Sequence, residues 1–363
     1  MSNPYRILLI GPIPPPLTGE SFCNQVLLKA LNKDDDFSMD YINTAPPKFD
    51  EKLGQISAGK VWHNLKNYFK LYKIFNTQLV YATIGQTFAG VLKFAPYFLL
   101  AKLLHKPVLI HVHGNNLLNQ YEKQTGRKKK IFHFVVSLAD KGIVLSENLR
   151  NNLQAFLPDN QIFVLPNFVD NDLLSPPPEA IENKDLSQLR ILYLSNLMTQ
   201  KGIFELLDAL AELKQKGIKY SAVIAGNMDK SIEKNLREKI ENLPDVSYAG
   251  VVSGTKKKEI FLNANVFVLP SYREGQPLSI FEAMATGNIV VSTAHPGITD
   301  IFDNRQIEYI AAKSVSAIVD ALVKIEQKLP EYRSQILSNH AYIAGNFTEE
   351  KFVENFKNII RNN

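Results

Sequence analysis

Short apolar runs of strand type alternate with helix-like segments along almost the whole chain. This alternation is typical of βα units, in which a helix carries the chain back to add the next strand to a parallel sheet. We therefore predict an α/β protein with doubly wound, Rossmann-like sheets. The candidate strands are Arg6–Ile10, Leu79–Ile84, Val108–Val112, Gly142–Leu145, Gln161–Leu165, Arg190–Leu194, Ser221–Ala225, Val246–Tyr248, Val266–Leu269, Ile289–Ser292 and Ile307–Ile310.

The length and one proline run predict two domains. The chain has 363 residues, and at about 150 residues per domain this favours two domains over one. Three consecutive prolines, Pro176 to Pro178, can neither donate to a sheet nor continue a helix, so they indicate a linker. The predicted parts are an N-terminal domain at 1–175, the linker at 176–188, a C-terminal domain at 189–345 and a helix at 346–363 that packs back toward the N-terminal domain.

Composition limits the class of protein. The apolar fraction is 45% and the charged fraction 21%, as in a soluble globular protein. The single cysteine, Cys23, excludes an intrachain disulfide and a multi-cysteine metal site, and it fits a reducing cytoplasm. No apolar run reaches the roughly 18 residues of a membrane-spanning helix, and the N-terminus lacks the features of a secretory signal. We expect a cytoplasmic protein.

The segment 266–292 reads VFVLPSYREGQPLSIFEAMATGNIVVS and has the order strand, loop, helix, strand. Pro277 suits the first turn of the helix. The N–H groups around Gln276, Pro277 and Leu278, of which proline itself contributes none, lie at the positive end of the helix dipole, where they favour a phosphate or a sugar hydroxyl. The segment therefore predicts a polar ligand site at this helix start.

Two glutamates flank that helix start. Glu274 lies in the loop beside Gly275, and Glu282 lies on the helix, so both would accept hydrogen bonds from hydroxyl groups. Isolated glutamates at this spacing more often serve as a solvated loop residue and a support for the first helical turn. In the full strand–loop–helix–strand context, the E-x7-E pattern resembles the signature of retaining glycosyltransferases of family 4, of the bacterial surface-polysaccharide type. This resemblance implies the GT-B fold, with two facing doubly wound domains and a cleft between them.

Two segments of the N-terminal half fit the same resemblance. The segment ILLIGPIPPPLTGES, which begins at Ile7, resembles the family's first strand and glycine loop, and Gly19 would let the backbone approach a ligand closely. The preceding position, often a second glycine in the family, is Thr18. IHVHGNN ends a strand where the family commonly places a histidine, and we choose His113 over His111, which shares its side of the strand. Without this context, Gly19 would equally suit a tight turn, and His113 would more often be structural.

The segment LSNLMTQKG follows the first strand of the C-terminal half and resembles the family's G-R-L-x-x-x-K-G stretch, whose Arg and Lys neutralise the donor's diphosphate. Lys201 occupies the Lys position, whereas Asn196 replaces the Arg and Ser195 the leading Gly. Asparagine supplies no charge, and departure of a diphosphate depends on charge stabilisation. Either another cation substitutes, with Arg273 the nearest candidate, or the protein is slow or inactive.

Two glycine turns complete the donor side. Gly226 ends a strand in AGN, and Val252 lies in GVVSG, where the resemblance implies backbone contacts to the nucleotide base; both segments also read as ordinary turns. The resemblance implies roles for Lys201 at the diphosphate, Glu274 at the donor sugar's hydroxyls, Glu282 at the ribose, and Gly19 and His113 at the cleft. The implied catalytic residues are His113, Lys201 and Glu274, and the implied donor-binding residues are Gly19, Ser195, Asn196, Lys201, Gly226, Val252, Arg273, Glu274, Gly275, Gln276, Pro277, Leu278 and Glu282.

Metal and dinucleotide patterns are weak in this sequence. Asp34–Asp36 and Asp170–Asp172 have Asp-x-Asp spacing, but one lies in a polar turn and the other beside the predicted linker, so solvated loops are expected. His111 and His113 lack a third ligand at a useful spacing. No G-x-G-x-x-G or P-loop motif is present. We expect no metal and no cofactor, with a UDP- or GDP-linked sugar as donor.

The N-terminal half carries all of the net positive charge, +6 in residues 1–175 against −1 in residues 176–363. Lys60–Lys73 predicts a helix with apolar residues on one stripe and lysines on another, and Arg127–Lys130 is a second basic cluster. Such a helix can lie on an anionic leaflet, although the same pattern fits a core-packed helix with a solvated face. Nucleic acid is not expected, because no recognition module accompanies the charge. The resemblance implies a membrane partner, since many family members extend lipid-linked glycans at the inner membrane face.

Together these features predict a retaining glycosyltransferase that moves a sugar from a nucleotide-sugar to a hydroxyl of a glycan or lipid-linked glycan. Two alternatives stay open. One is a non-catalytic nucleotide- or glycan-binding relative, suggested by Asn196 in place of the Arg. The other is a GT-B epimerase that acts on the nucleotide-sugar itself.

Overall fold

A computed structural model describes residues 3–45, 58–174 and 178–361. The chain divides into two compact units, the first formed by residues 1–167 together with 352–363 and the second by residues 168–351. Each unit is built on one six-stranded parallel sheet, in which strands and helices alternate along the chain. The predicted α/β class with doubly wound, Rossmann-like sheets is therefore confirmed.

The first unit orders its strands in space so that the second lies at one edge and the first, third, fourth, fifth and sixth follow. Its strands are β1 (Tyr5–Gly11), β2 (Phe37–Asn43), β3 (Leu79–Thr83), β4 (Val108–Val112), β5 (Lys141–Val144) and β6 (Ile162–Val164). Its helices are α1 (Gly19–Leu31), α2 (Ala58–Tyr68), α3 (Phe88–Leu92), α4 (Ala95–Leu103), α5 (Leu117–Glu122), α6 (Gly126–Val136) and α7 (Asn151–Gln154), with a 3₁₀ helix at Leu71–Asn76.

Right-handed crossovers distribute these helices over the two faces of the first sheet. The chain steps from β1 to β2 through α1 and then returns in the opposite direction through α2, α4 and α6, so those three helices share the face that α1 does not cover. The core agrees with this topology, because Phe98 of α4 and Phe132 of α6 are buried in one cluster with Val80 and Ile110 of the sheet.

The last helix, α17 (Glu349–Arg361), contributes its residues from Phe352 onward to the first unit. Its Phe356 ring meets the Tyr81 ring edge-on, with 4.9 Å between the centroids. The Lys357 ammonium lies 2.5 Å from an Asp34 carboxylate oxygen, and this hydrogen bond lowers the pKa of Asp34. One aspartate of the Asp34–Asp36 turn thus has a structural partner.

The second unit has the same design. Its strands are β7 (Leu189–Leu194), β8 (Tyr220–Ala225), β9 (Val246–Gly250), β10 (Val266–Leu269), β11 (Ile289–Thr293) and β12 (Ile307–Ile310), in the spatial order β12-β11-β10-β7-β8-β9. All neighbouring strands are parallel. Its helices are α8 (Asn171–Leu174), α9 (Pro178–Glu182), α10 (Ile203–Gln215), α11 (Glu233–Glu241), α12 (Gly254–Asn263), α13 (Leu278–Ala285), α14 (Pro296–Thr299), α15 (Val315–Gln327) and α16 (Arg333–Asn346).

One strand, β2, is absent from the strands predicted from the sequence. This strand pairs only with β1 at the edge of the first sheet. Its apolar Met39 and Ile42 are buried while Asp40 and Tyr41 between them are exposed. An edge strand lacks a neighbour on one side and tolerates such polar interruptions, which weaken its apolar signal in the sequence.

The structure differs from the predicted boundary and linker. The second unit begins at Phe168 rather than after residue 175, because Phe168, Val169 and Leu173 are buried. Residues 175–177, with two of the three prolines, lie outside the described residues. The rest of the predicted linker at 176–188 contains α9 and buries apolar side chains in the second unit's core. It therefore belongs to the second unit.

Lys184 ties this segment to α13. Its side chain is 6% exposed, and its Nζ donates to the carbonyl oxygens of Thr286 at 2.6 Å and Phe261 at 3.3 Å. Burial lowers the pKa of Lys184 to about 7. The segment is thus fastened by buried hydrogen bonds.

We predict that Lys184→Ala lowers the free energy of unfolding by about 1–3 kcal/mol, because it leaves buried carbonyl oxygens without a donor. Thermal or urea unfolding monitors the change. Lys219→Ala, at an exposed lysine of the same unit, is the matched control and should leave the unfolding free energy unchanged. Equal stability of the two variants would show that the segment is a linker after all.

Candidate active site

Two glycines let backbone segments approach each other at the carboxyl edge of the second sheet. Gly226 follows β8 with φ +134°, and a Cβ there would stand 1.8 Å from the Ser195 carbonyl oxygen. Gly202 has φ +71° and caps α10, and its Cβ would lie 2.2 Å from the Pro270 carbonyl oxygen. Only glycine accepts both the positive φ and the contact. The loops after β7, β8 and β10 are thereby held together.

Lys201 and Glu274 meet within these loops. Lys201 lies in the 3₁₀ turn just before α10, and Glu274 lies in the loop between β10 and α13. The lysine Nζ is 2.7 Å from Glu274 Oε1, and the two side chains are 26% and 8% exposed. The Tyr193 hydroxyl donates to the Lys201 carbonyl oxygen at 3.1 Å and fixes this turn. A buried carboxylate requires such a cation, because an unpaired charge is costly to bury.

Glu282 has a similar partner, which the sequence analysis missed. Its side chain is 4% exposed on α13, and its Oε1 lies 2.6 Å from the Nζ of Lys257 on α12. The three lysines Lys256–Lys258 occupy the first half of α12, where the helix dipole disfavours cations. The unfavourable placement of these lysines is the one unusual feature of this segment in the sequence, and it does not identify Glu282 as the partner.

The start of α13 agrees with the predicted helix N-terminus. Pro277 is the cap residue and Leu278 the first helical residue, and the first-turn N–H groups of a helix lack intrahelical partners. Gln276 is buried, and its Nε2 donates to the Gly297 carbonyl oxygen at 3.1 Å. The loop just before α13 is therefore anchored to α14.

The remaining predicted residues of this unit differ in exposure. Ser195 and Asn196 follow β7 and are half-buried, and the Ser195 N–H donates to the Ala225 carbonyl oxygen at 3.2 Å. Arg273 is exposed and precedes Glu274. Gly275 and Val252 are half-buried. The structure thus brings Lys201 into contact with Glu274, and it brings Lys257 into contact with Glu282.

In the first unit, Gly19 opens α1. Thr18 occupies the position at which the resembled family often has a second glycine. It is the N-cap residue with φ −128°, so this position needs no glycine. The Ser21 N–H donates to Thr18 Oγ1 at 3.1 Å, and the Thr18 N–H donates to Ser21 Oγ at 2.8 Å. This reciprocal capping fixes the loop between β1 and α1. Gly19 itself is exposed.

His111 and His113 lie side by side at the end of β4, with ring centroids 3.9 Å apart. His111 is fully buried and its Nδ1 lies 2.8 Å from the Tyr81 hydroxyl oxygen. Burial lowers the pKa of His113 to about 3 and that of His111 well below its usual range. Both imidazoles are therefore neutral at pH 7, and the Nε2 atom of His113 is enclosed without a hydrogen-bond partner among the described residues.

Glu20 is a second residue that the sequence analysis missed. It follows Gly19 in the first turn of α1, and its carboxyl group lies beside the Thr83 hydroxyl and under the influence of the Lys93 ammonium. Burial raises the pKa of Glu20 to about 7, although both neighbours act in the opposite direction. Thr83 Oγ1 also accepts from Asn24 Nδ2 at 3.0 Å. These groups form a polar network at the carboxyl edge of the first sheet.

In residues 3–45, 58–174 and 178–361, no three or more His, Cys, Asp and Glu side chains are grouped so that they could hold a metal ion.

Part of the second unit matches a family model. Residues 178–341 match the family model described as glycosyl transferases group 1. The chain is 27% identical over 228 residues to a putative teichuronic acid biosynthesis glycosyltransferase, TuaC, of Bacillus subtilis, covering 61% of this chain and 56% of that protein. It is 24% identical over 223 residues to the phosphatidylinositol N-acetylglucosaminyltransferase gpi3 subunit of Schizosaccharomyces pombe, covering 59% of this chain and 48% of that protein. The match thus spans about half the length of these relatives.

The whole fold also has solved counterparts. The structure of Anabaena HepE in complex with UDP and glucose superposes with a TM-score of 0.74 at 16% identity, covering 98% of this chain and 99% of that one. This similarity shows the fold, which is the predicted GT-B type. The match to the group 1 family model supports the resemblance found in the sequence, while the assignment to family 4 stays a prediction.

We predict that Glu20→Gln raises the melting temperature at pH 8 by several degrees and leaves it unchanged at pH 4. Between pH 4.5 and about 7, the unfolded chain ionises Glu20 while the folded state keeps it protonated, so the wild type loses stability over this window. Glutamine has no proton to lose. Calorimetry at both pH values measures the difference.

Glu122→Gln is the matched control, since Glu122 is exposed on α5 of the same unit. Its melting temperature should follow that of the wild type at both pH values. A Glu20→Gln difference that is equal at pH 4 and pH 8 would contradict the raised pKa.

Proposed function

We propose, from the premise that residues 178–341 form a group 1 glycosyltransferase domain, that the protein transfers a sugar from a nucleotide-sugar to a hydroxyl of a glycan or lipid-linked glycan. The observation that carries the proposal is the ion pair of Lys201 and Glu274, whose charged atoms lie 2.7 Å apart in a partly enclosed site. A cation suits a diphosphate, and a carboxylate accepts hydrogen bonds from sugar hydroxyls. One pair thus offers partners to both parts of a nucleotide-sugar.

The donor is expected to engage both lysine–glutamate pairs. We assign the diphosphate to Lys201 and the first turn of α13, the sugar hydroxyls to Glu274 and the ribose to Glu282. The fold shared with HepE, whose structure holds UDP and glucose, supports a UDP-linked donor, and a GDP-linked donor is the second choice to test. The roles of Gly19 and His113 stay predictions.

We infer a retaining, metal-independent reaction. The bond between the anomeric carbon and the diphosphate oxygen breaks, the acceptor oxygen bonds to that carbon on the same face, and the acceptor's proton passes to the departing phosphate oxygen. No nucleophile from the protein is needed in this scheme. The developing negative charge is stabilised by Lys201 and by the N–H groups at the start of α13.

Lys257 is the candidate for the second cation that Asn196 does not supply. Its side chain is 16% exposed, and its ammonium group contacts the Glu282 carboxylate of the candidate site. A ribose that binds Glu282 would lie next to this ammonium. We therefore propose Lys257, in preference to the exposed Arg273, as the residue that replaces the family's arginine.

The acceptor class rests on the relatives. TuaC is named for teichuronic acid biosynthesis and the gpi3 subunit for a transferase of phosphatidylinositol. Each name combines a sugar-transferring activity with an anionic polymer or lipid. This supports a role for this chain in surface polysaccharide biosynthesis.

We also propose that the protein is cytoplasmic and contacts the inner membrane face through Lys60–Lys73 and Arg127–Lys130. Among the described residues, no helix combines the length and apolar character that a membrane span requires.

One observation favours a second candidate function. Asn196 lies where the family has a cationic arginine, so a nucleotide- or glycan-binding protein without turnover would retain the same fold and the same ion pairs. Such a protein would bind nucleoside diphosphates and leave every sugar donor intact.

A donor and acceptor panel separates the two functions. Purified protein is incubated with UDP- and GDP-linked sugars, with and without a bacterial lipid extract. Nucleoside diphosphate released only with lipid supports the transferase. Binding without release supports the second function, and a free epimer of the donor would point to an epimerase instead.

We predict that Glu274→Gln lowers turnover by about 10² or more, because the carboxylate contacts the sugar only in the productive geometry. The amide keeps the size of the side chain and loses its charge. Release of nucleoside diphosphate in single-donor assays measures the effect. Glu259→Gln, at an exposed position of α12, is the matched control, and equal rates for both variants would remove Glu274 from the site.

We predict that Lys257→Met weakens binding of a nucleoside diphosphate by about tenfold, because one charge-assisted contact is worth about 1.5 kcal/mol. Isothermal titration with UDP and GDP gives the dissociation constants. Lys256→Met removes an exposed lysine from the same helix turn and should leave binding unchanged. Unaltered affinity in Lys257→Met would return the role of second cation to another residue.

A further inference from the structure

One long part of the first unit contains almost no carboxylates. Residues 52–121 include eight lysines and no Asp or Glu. Extended to residue 139, the segment holds 13 Lys and Arg against the single acidic Glu122. The rest of residues 1–175 holds six basic and 12 acidic side chains. The positive charge of the first half is therefore concentrated in one continuous segment.

Three described helices of this segment lie on one face of the first sheet. Helices α2, α4 and α6 lie on the same side of the first sheet, and contacts join them into one layer. The Tyr68 ring of α2 packs on the Tyr97 ring of α4 with 5.4 Å between centroids, and the Tyr68 hydroxyl donates to the Lys93 carbonyl oxygen at 3.1 Å. The Lys128 ammonium of α6 lies 6.0 Å from the Phe88 ring centroid of α3. We call the outer side of α2, the 3₁₀ helix Leu71–Asn76, α3, α4 and α6 the basic face.

The basic face exposes large apolar side chains. Phe69, in the turn after α2, is 84% exposed, and Leu103 of α4 is 75% exposed. Many exposed large apolar side chains on neighbouring elements are typical of an interaction site. Ten of the fourteen exposed large apolar side chains among the described residues belong to this face: Trp62, Leu65, Phe69, Tyr72, Phe75, Leu92, Leu99, Leu103, Ile131 and Phe134.

Exposed cations lie between these apolar side chains. Lys66 and Lys70 are exposed and have no carboxylate partner among the described residues, and the Lys66 ammonium lies 5.7 Å from the Trp62 ring centroid. Arg127, Lys128 and Lys130 are exposed on α6. Lys73 and Lys102 are paired, with Asp40 and Asp140. Apart from these paired residues, the face offers cations and apolar groups together.

We infer that the basic face docks on an anionic phospholipid bilayer, with its aromatic and leucine side chains entering the interface and its lysines contacting lipid phosphates. Aromatic rings and leucines favour the boundary between headgroups and acyl chains, and lysines near it gain from the negative surface potential. A second copy of this chain would oppose like charges across the same face. The inference deepens the proposed membrane contact and rests on it.

Tryptophan fluorescence can test this inference without a label. Trp62 is its single tryptophan and is 62% exposed on the basic face. Titration of the full chain with phosphatidylcholine vesicles that contain phosphatidylglycerol should shift the Trp62 emission to shorter wavelength. Pure phosphatidylcholine vesicles should give a smaller shift. No shift with anionic vesicles would overturn the inference, and so would a shift that needs no vesicles and grows with protein concentration, which indicates self-association.

Matched variants separate the charged from the apolar contribution. Lys66→Glu with Lys70→Glu should lower the partition coefficient on anionic vesicles by about tenfold or more, because each basic residue near the surface contributes about fivefold. Phe69→Ala with Leu103→Ala should lower it by about tenfold and should also remove the residual binding in 0.5 M salt. The controls are exposed residues of the second unit, Lys219→Glu with Lys234→Glu and Val251→Ala, and equal losses in the controls would contradict the assignment.

Failure of this inference and failure of the proposed function have different readouts. UDP or GDP binding in solution, measured without vesicles, should be the same for the wild type and all docking variants. A protein that binds nucleotide and ignores anionic vesicles would contradict only the docking face. A protein that binds vesicles and releases no nucleoside diphosphate from any donor would contradict only the proposed transfer.

Discussion

The second unit depends on two carboxylates that are buried beside lysines. Glu274 is paired with Lys201 and Glu282 with Lys257, and removing either lysine would leave a buried carboxylate without a partner, which is costly. One contact joins the turn before α10 to the loop between β10 and α13, and the other joins α12 to α13. The strand order brings those elements together, since β7 and β10 are neighbours in the sheet. The packing of these elements and the pairing of their charges therefore depend on each other.

The fold could be predicted from the sequence because its main determinant is local. Buried parallel strands are continuous apolar runs, and the helices between them have their own period. Prediction failed at β2, where Asp40 and Tyr41 interrupt the run at a sheet edge. It also placed the boundary after residue 175, because prolines are visible in a sequence while burial of Phe168 and Val169 in the second core is a tertiary property.

The candidate site, like the fold, was predictable only where its residues lie close together in the sequence. Glu274, Pro277 and Glu282 lie within one contiguous segment, so their spacing carries information about geometry. Lys257 is 25 positions from Glu282 in sequence, and only the packing of α12 beside α13 reveals the pair. Glu20 was missed for a similar reason, since its pKa is set by burial near Thr83 and Lys93, which follow it on distant parts of the chain.

The two units use positive charge in different ways. In the second unit Lys201 and Lys257 are paired with buried carboxylates, so each pair is neutral until a ligand with its own charge competes for the lysine. In the first unit Lys66 and Lys70 are exposed on a face from which carboxylates are almost absent. Paired lysines select a ligand by geometry, whereas unpaired surface lysines attract any extended anionic surface. The charge asymmetry of the sequence thus reflects the unpaired surface lysines of the first unit. Each buried lysine–glutamate pair of the second unit adds one negative charge for every positive one.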